Sequence, residues 1–169
     1  FIFLMAGVNT VLYLQQAGLL EVNFPDRDAR TAFLGRIELV MAVITLALQF
    51  FAVGRLTRRA GVAAMIVVVP LFVAAGFLLI SASPTLMTLV AVFVARRVGQ
   101  YAIVRPCREM LYTTVDRESK YKAKNVNDTL VYRTSDWAFA KAQVWIESAF
   151  QASLAGMALF GAGIAAAWA

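Results

Sequence analysis

Between Ala60 and Ala95 no residue carries a charge, and the stretch is largely Val, Leu, Ile, Ala, Phe and Met. A soluble fold could not solvate it, and at about 1.5 Å per residue it is far longer as one helix than a hydrocarbon layer of roughly 30 Å requires. The pattern therefore predicts two membrane spans with a break at Ser81-Ala82-Ser83-Pro84. The rest of the chain repeats the alternation of apolar run and polar interruption. At about 20 residues per span plus short loops, its length accommodates roughly six helices. The spans expected are 1–20, 32–53, 62–80, 85–104, 126–145 and 148–168.

The interruptions alternate in charge. Glu21, Asp26, Arg27, Asp28 and Arg30 make a mixed loop, whereas Arg55, Arg58 and Arg59 make one basic cluster and Lys120, Lys122 and Lys124 another. Two spans separate the basic clusters, so both face one compartment, which the positive-inside rule assigns to the cytoplasm. Both ends then lie inside as well, as for a protein of a bacterial inner (plasma) membrane. The chain starts at Phe1 within an apolar run, without an initiator Met or a charged leader, and reads as a piece of a longer protein.

Composition changes this picture little. The 169 residues are 61% hydrophobic, and the formal net charge of +6 sits in short loops rather than on a soluble basic face, which argues against a nucleic-acid partner. A single cysteine, Cys107, excludes an intramolecular disulfide framework, and the lack of histidine removes His-based metal sites and proton relays. No metal, cofactor or catalytic residue is expected. No serine-nucleophile elbow or phosphate-binding glycine loop is present, so an enzyme is not expected.

Polarity differs from span to span. The third and sixth are almost purely apolar, the sixth rich in Ala and Gly, and can face lipid or pack closely on neighbours. In the first, Asn9, Tyr13 and Gln16 recur at helical spacing, and in the second Glu38, Thr45 and Gln49 do so. The fourth ends in Arg97, Gln100, Tyr101, Arg105 and Arg108, and the fifth carries Asn125, Asp128, Tyr132, Ser135, Asp136 and Gln143 with Arg133 and Lys141 beside them. Ionisable groups in a bilayer face a bundle interior or water, so these four helices should surround a cavity. Two apolar helices around four cavity helices is the pattern of one six-helix half of a major facilitator transporter. Gly54-Arg55-Leu56-Thr57-Arg58-Arg59-Ala60-Gly61 resembles that superfamily's cytoplasmic loop of Gly, a basic pair and a second Gly. Its plainer reading is a solvated positive-inside turn.

The most specific stretch is Pro106-Cys107-Arg108-Glu109-Met110-Leu111-Tyr112, continuing through Asp116, Glu118, Lys120, Lys122 and Lys124 to Asp128 and Arg133. It resembles the C-terminal-half signature of the ATP/ADP translocase family of plastids and obligate intracellular bacteria. That resemblance implies an all-α integral membrane protein, with residues 1–169 forming the C-terminal six-helix half of a twelve-helix carrier. It also implies ATP:ADP antiport, with the N-terminal half of the same carrier completing the site. One departure bears on the cargo. Where the family continues Gly-Lys-Ser-Gly, this chain has Ser135-Asp136-Trp137-Ala138, so a lysine able to hold phosphate gives way to a carboxylate.

The residues also have a mechanical reading of their own. A phosphate-bearing cargo needs fixed cationic donors in a low-dielectric cavity, and Arg97, Arg105 and Arg108 are the candidates. Arginines at the inner end of a span can equally snorkel to lipid phosphates. Lys120 and Lys124 are substrate or gate candidates, or else plain cytoplasmic charge; their alternation with Tyr121 and Ala123 is not helical and suggests a loop mouth or a latch of ion pairs. Asp128 and Arg133 fall inside a span, where charge needs a partner or a role. Glu38 has Arg36 nearby for an interfacial pair, and Glu109 has the lysines of the loop after it. Asn9, Gln16, Glu38, Gln49, Gln100, Tyr132 and Asp136 are expected to line the cavity, in contact with a small anionic substrate. Three function classes remain: a nucleotide or related anion exchanger, a proton-coupled major facilitator carrier of another small molecule, and a non-transporting membrane protein.

Overall fold

Long apolar runs bury backbone polar groups unless each N–H and C=O is bonded locally, and helices do this within one segment. Among the described residues there are helices and no strand. The computed structural model describes residues 1–114, 116–150 and 154–169, with the backbone alone described at Ala52, Thr114, Arg117, Asp128, Glu147, Ala149, Phe150 and Leu154.

The order is α1 (Ile2–Asn23), α2 (Arg27–Leu48), α3 (Gly54–Ala82), α4 (Leu86–Gly99), α5 (Arg105–Leu111), α6 (Arg117–Asn125), α7 (Tyr132–Phe150) and α8 (Leu154–Trp168). Three π-helical segments interrupt it: Gln49–Val53 after α2, Gln100–Val104 between α4 and α5, and Val126–Val131 before α7. Each segment inserts residues into the helical ladder and rotates the later turns relative to the earlier ones.

Local chemistry starts the helices where the chain turns. Asp26 caps α2 by accepting from the backbone N–H of Ala29 at 3.1 Å, and Thr85 caps α4 by accepting from Thr88 N–H at 3.2 Å, directly after the expected break at 81–84. Asp116 caps α6, accepting from Ser119 N–H at 3.0 Å, and that bond holds its carboxyl below the usual carboxylate range. The cap is therefore present above the ordinary carboxylate pKa and is lost as pH falls through the depressed one.

Two local expectations differ from the structure. Lys120, Lys122 and Lys124 lie on helix α6 rather than in an extended loop, because the Asp116 cap and a Glu118–Lys122 pair one turn apart support a helix there. The basic segment 54–60 is also helical. The chain breaks only at Gly61, whose φ of 80° is a conformation that residues with a Cβ avoid.

Packing places α1 at the centre, against α4, α7 and α8, while α3 lies along α8 and also meets α4. Small residues permit the close approaches. A Cβ on Gly161 of α8 would collide with the Phe77 ring of α3, and one on Gly7 of α1 would collide with Phe139 of α7. Val8, Val11, Leu12, Phe77, Ile80 and Leu89 form the sealed interior. Ser135 donates to the Phe3 carbonyl and ties α7 to α1. It is fully buried there and does not line water, although the sequence groups it with the polar stripe of its span.

Outward faces are apolar. Phe72 on α3 is 74% exposed and Phe50 after α2 is 81% exposed. Among the described residues four helices are long and apolar enough to cross a membrane: Ile2–Asn23, Arg27–Phe51, Gly54–Ala82 and Leu86–Leu111. The fifth and sixth expected spans do not meet that measure. The fifth carries Arg133, Asp136 and Lys141, and the apolar helix Ala155–Trp168 is shorter.

Candidate functional site

Residues three and four apart share a helix face, and on α4 and its continuation Phe93, Arg97, Gln100, Val104 and Arg108 obey that rule, with Arg96 reaching the same face four residues before Gln100. Opposite them stand Asn9, Tyr13 and Gln16 of α1 and Ile37 and Glu38 of α2. Phe93, Arg96, Arg97 and Gln100, with these residues and Tyr132 at the start of α7, enclose a cleft of about 530 Å³. A smaller space of about 270 Å³ adjoins it, sharing Gln100, Tyr101 and Tyr132 and adding Arg105 and Arg108. Arginines thus line both compartments, with two tyrosines and an amide at the boundary between them.

Glu38 bonds Arg97 across the gap between α2 and α4, rather than pairing with Arg36 on its own helix. The carboxylate is 56% exposed and the guanidinium 30%, so the pair stands in the cleft wall, open to water on one side. The Arg97 guanidinium also lies 5.6 Å from the Phe93 ring centroid, and that of Arg105 lies 5.7 Å from Tyr101, within cation–π range. Gln49 donates to the Tyr101 carbonyl at 3.2 Å, so the π-helical segments of the two helices hold each other. Gln49 also lines a side cleft with Thr45, Glu38 and Arg97.

Asp136 faces another side cleft, next to Asn9, Thr10 and Tyr13, and accepts a hydrogen bond from Thr10 Oγ1 at 3.0 Å. It takes no part in the ion pairs seen among the described residues.

The remaining candidates lie apart. Lys124 pairs with Glu109 at 2.8 Å, which joins α6 to α5 and supplies Glu109 with the loop lysine expected for it. Lys120 lies on α6, and Arg133 is exposed on α7. None of these three lines the four clefts. The side chain of Asp128 falls outside the described residues.

Sequence reasoning overlooks three charged residues of the cleft: Glu21 and Arg30, assigned to the mixed loop, and Arg96. The Arg96 side chain is 3% exposed and lines the large cleft. The helical spacing to Gln100 was a signal available for it, but Arg97 beside it draws attention first. Gln16 is nearly as buried, at 4%, and closes the cleft from α1.

Among the described residues no group of His, Cys, Asp or Glu could hold a metal ion. Comparison with family models, curated proteins and solved structures gives no match.

Proposed function

We propose that this chain is half of an alternating-access carrier of major facilitator type, set in a bacterial inner membrane with both ends cytoplasmic, that exchanges ATP and ADP or a related phosphate-bearing anion. One observation carries the reading: an arginine-bearing cleft lies between α1, α2 and α4, with Tyr132 of α7 at its edge, while the apolar α3 and α8 pack together away from it. The Pro106–Tyr112 resemblance favours a nucleotide. In this reading α7 and α8 complete six spans, α7 crossing with Tyr132, Ser135 and Asp136 turned to α1 and the clefts, as bilayer energetics favour. A second, N-terminal six-helix unit covers the open side of the cleft, and the cargo meets each side of the membrane as the two units rock.

A second reading rests on Asp136. A carboxylate held by Thr10 between two spans, without a cation in the ion pairs described, suits a carrier that moves protons with another small molecule. The lysine that the translocase family has near this position would favour phosphate, and Asp136 disfavours it.

The test uses the full-length protein with Cys107→Ser and single cysteines at Asn9, Gln100 and Phe72, exposed to an impermeant sulfonate thiol reagent in membranes. Cysteines at Asn9 and Gln100 are expected to label and to be protected by ATP, while Phe72, turned outward on α3, stays unlabelled. Uniformly slow labelling at all three positions contradicts an aqueous cleft. Labelling without protection by ATP, ADP or phosphate removes the nucleotide and leaves the carrier.

A further inference from the structure

Among the described residues Arg96 is a buried cation that takes part in no ion pair. Its side chain is 3% exposed, and neither its Nε nor its Nη1 has a hydrogen-bond partner. Tyr132, Arg97 and Tyr101 line the cleft with it. Of the two carboxylates lining the cleft, Glu38 is taken by Arg97, and Glu21 is exposed at the end of α1. An unpaired buried charge is among the costliest features a fold can carry, and bare N–H donors add their own desolvation. A leucine or methionine would fill the position more cheaply. The missing counter-charge and acceptors are what an oxyanion brings when it enters the cleft.

We infer that Arg96, rather than Arg97 or Arg108, binds the anionic group of the cargo, a phosphoryl-type oxyanion, while Arg97, neutralised by Glu38, positions α2 against α4. The inference rests on the proposed carrier only in taking the cleft as the cargo site. Tyr101, Gln100 and Tyr132 line the same cleft and offer O–H and N–H donors to the anion's other oxygens. A planar guanidinium with free donors suits a phosphoryl group that accepts several bonds at once, so lysine at this position keeps the charge and loses the geometry.

The experiment is thermal unfolding of the full-length protein in phosphatidylcholine nanodiscs, titrated with pyrophosphate, sulfate and ATP against chloride at matched ionic strength. The variants are Arg96→Met, Arg96→Lys and, as a control on the exposed basic turn, Arg59→Met. Without added anion, Arg96→Met is expected to melt at or above the unaltered protein, because Met keeps the aliphatic stem and removes the unpaired charge. Pyrophosphate should raise the melting point of the unaltered protein and of Arg59→Met. Its apparent affinity should fall about tenfold to a hundredfold in Arg96→Met, the loss of one charged hydrogen-bonding group, and less in Arg96→Lys.

Undiminished anion response in Arg96→Met overturns the inference, and so does an Arg96→Met protein that fails to fold, since that outcome means the arginine serves the fold. Absence of any response in the unaltered protein overturns it too. A parallel series with phosphatidylglycerol added separates a lipid headgroup from a soluble cargo. Arg96-dependent stabilisation by the anionic lipid alone overturns the cargo assignment. Pyrophosphate response without ATP response leaves Arg96 as the anion residue and defeats the nucleotide reading, whereas ATP binding that ignores Arg96 does the reverse.

Discussion

Valine at Gly161 is expected to lower the melting temperature of the full-length protein sharply or to prevent its folding in detergent. Gly161 lies where α8 meets α3, and a Cβ there would occupy the space of the Phe77 ring. Phe77 is fully buried, so a displaced ring must push into the packed interior. Overfilling a packed interior costs typically about 1–3 kcal/mol and occasionally more. Lipid tails are as apolar as the helices, so association rests on close packing, and a bulkier residue at the crossing attacks that directly. Gly163 supplies the comparison, since a Cβ there meets nothing within 4 Å. Gly163→Val should melt close to the unaltered protein. Equal melting of the two variants, measured by fluorescence-detected size exclusion after heating, contradicts the α3–α8 packing.

For the proposed carrier, alanine at Glu38 is expected to slow transport strongly while leaving a folded protein. The carboxylate is half exposed, so the pair itself contributes little to stability, as for ion pairs open to water. Removing it leaves two adjacent arginines, Arg96 and Arg97, without a carboxylate on α2 to neutralise either. The stranded charge repels its neighbour and releases α2 from α4. With cleft water screening part of the cost, a penalty of about 1–2 kcal/mol corresponds to about a five- to thirtyfold change in the equilibrium it controls. Exchanging the charges, with Glu38→Arg combined with Arg97→Glu, should recover part of the lost rate that either single substitution removes. Rates in reconstituted vesicles decide the point. Three variants transporting like the unaltered protein would mean that the pair has no part in the site.

The all-helical architecture was legible in the sequence, because long apolar runs leave the backbone few ways other than helices to bond its own polar groups. The break at 81–84 arises from Pro84 and the Ser residues in an otherwise apolar run, and the α4 cap at Thr85 falls directly after it. The spacing of Asn9, Tyr13 and Gln16 marks the face of α1 that meets the cleft. The features that escaped depend on phase or on distance along the chain. Ser135 and Asp136 are neighbours in sequence and point about 100° apart on a helix, one bonding the Phe3 carbonyl and the other turned to Thr10. No local pattern distinguishes them. The π-helical segments at 49–53, 100–104 and 126–131 shift the phase of every later turn, and no composition marks them.

Glu38 and Arg97 are separated by 59 residues, so Arg36 looked the nearer partner until the helices were brought together. Arg96 was hidden by a neighbour of the same kind. Periodicity puts Arg97 on the face of Phe93 and Gln100, and only the packed bundle reveals that Arg96 turns inward while Arg97 stays part exposed and paired. The lysines of α6 were misread for a different reason. Alternation with Tyr121 and Ala123 suggests a non-helical loop mouth or latch, whereas the Asp116 cap and the Glu118–Lys122 spacing specify a helix.

The measurement that bears most directly on the proposed carrier is exchange of radiolabelled nucleotide. Vesicles holding the full-length protein are preloaded with ADP, ATP, phosphate or buffer and offered labelled ATP outside. The account predicts uptake that is accelerated by internal ADP or ATP and is lost in Arg96→Met. No uptake of nucleotide or phosphate under any preload, by protein shown to be folded and correctly inserted, contradicts it.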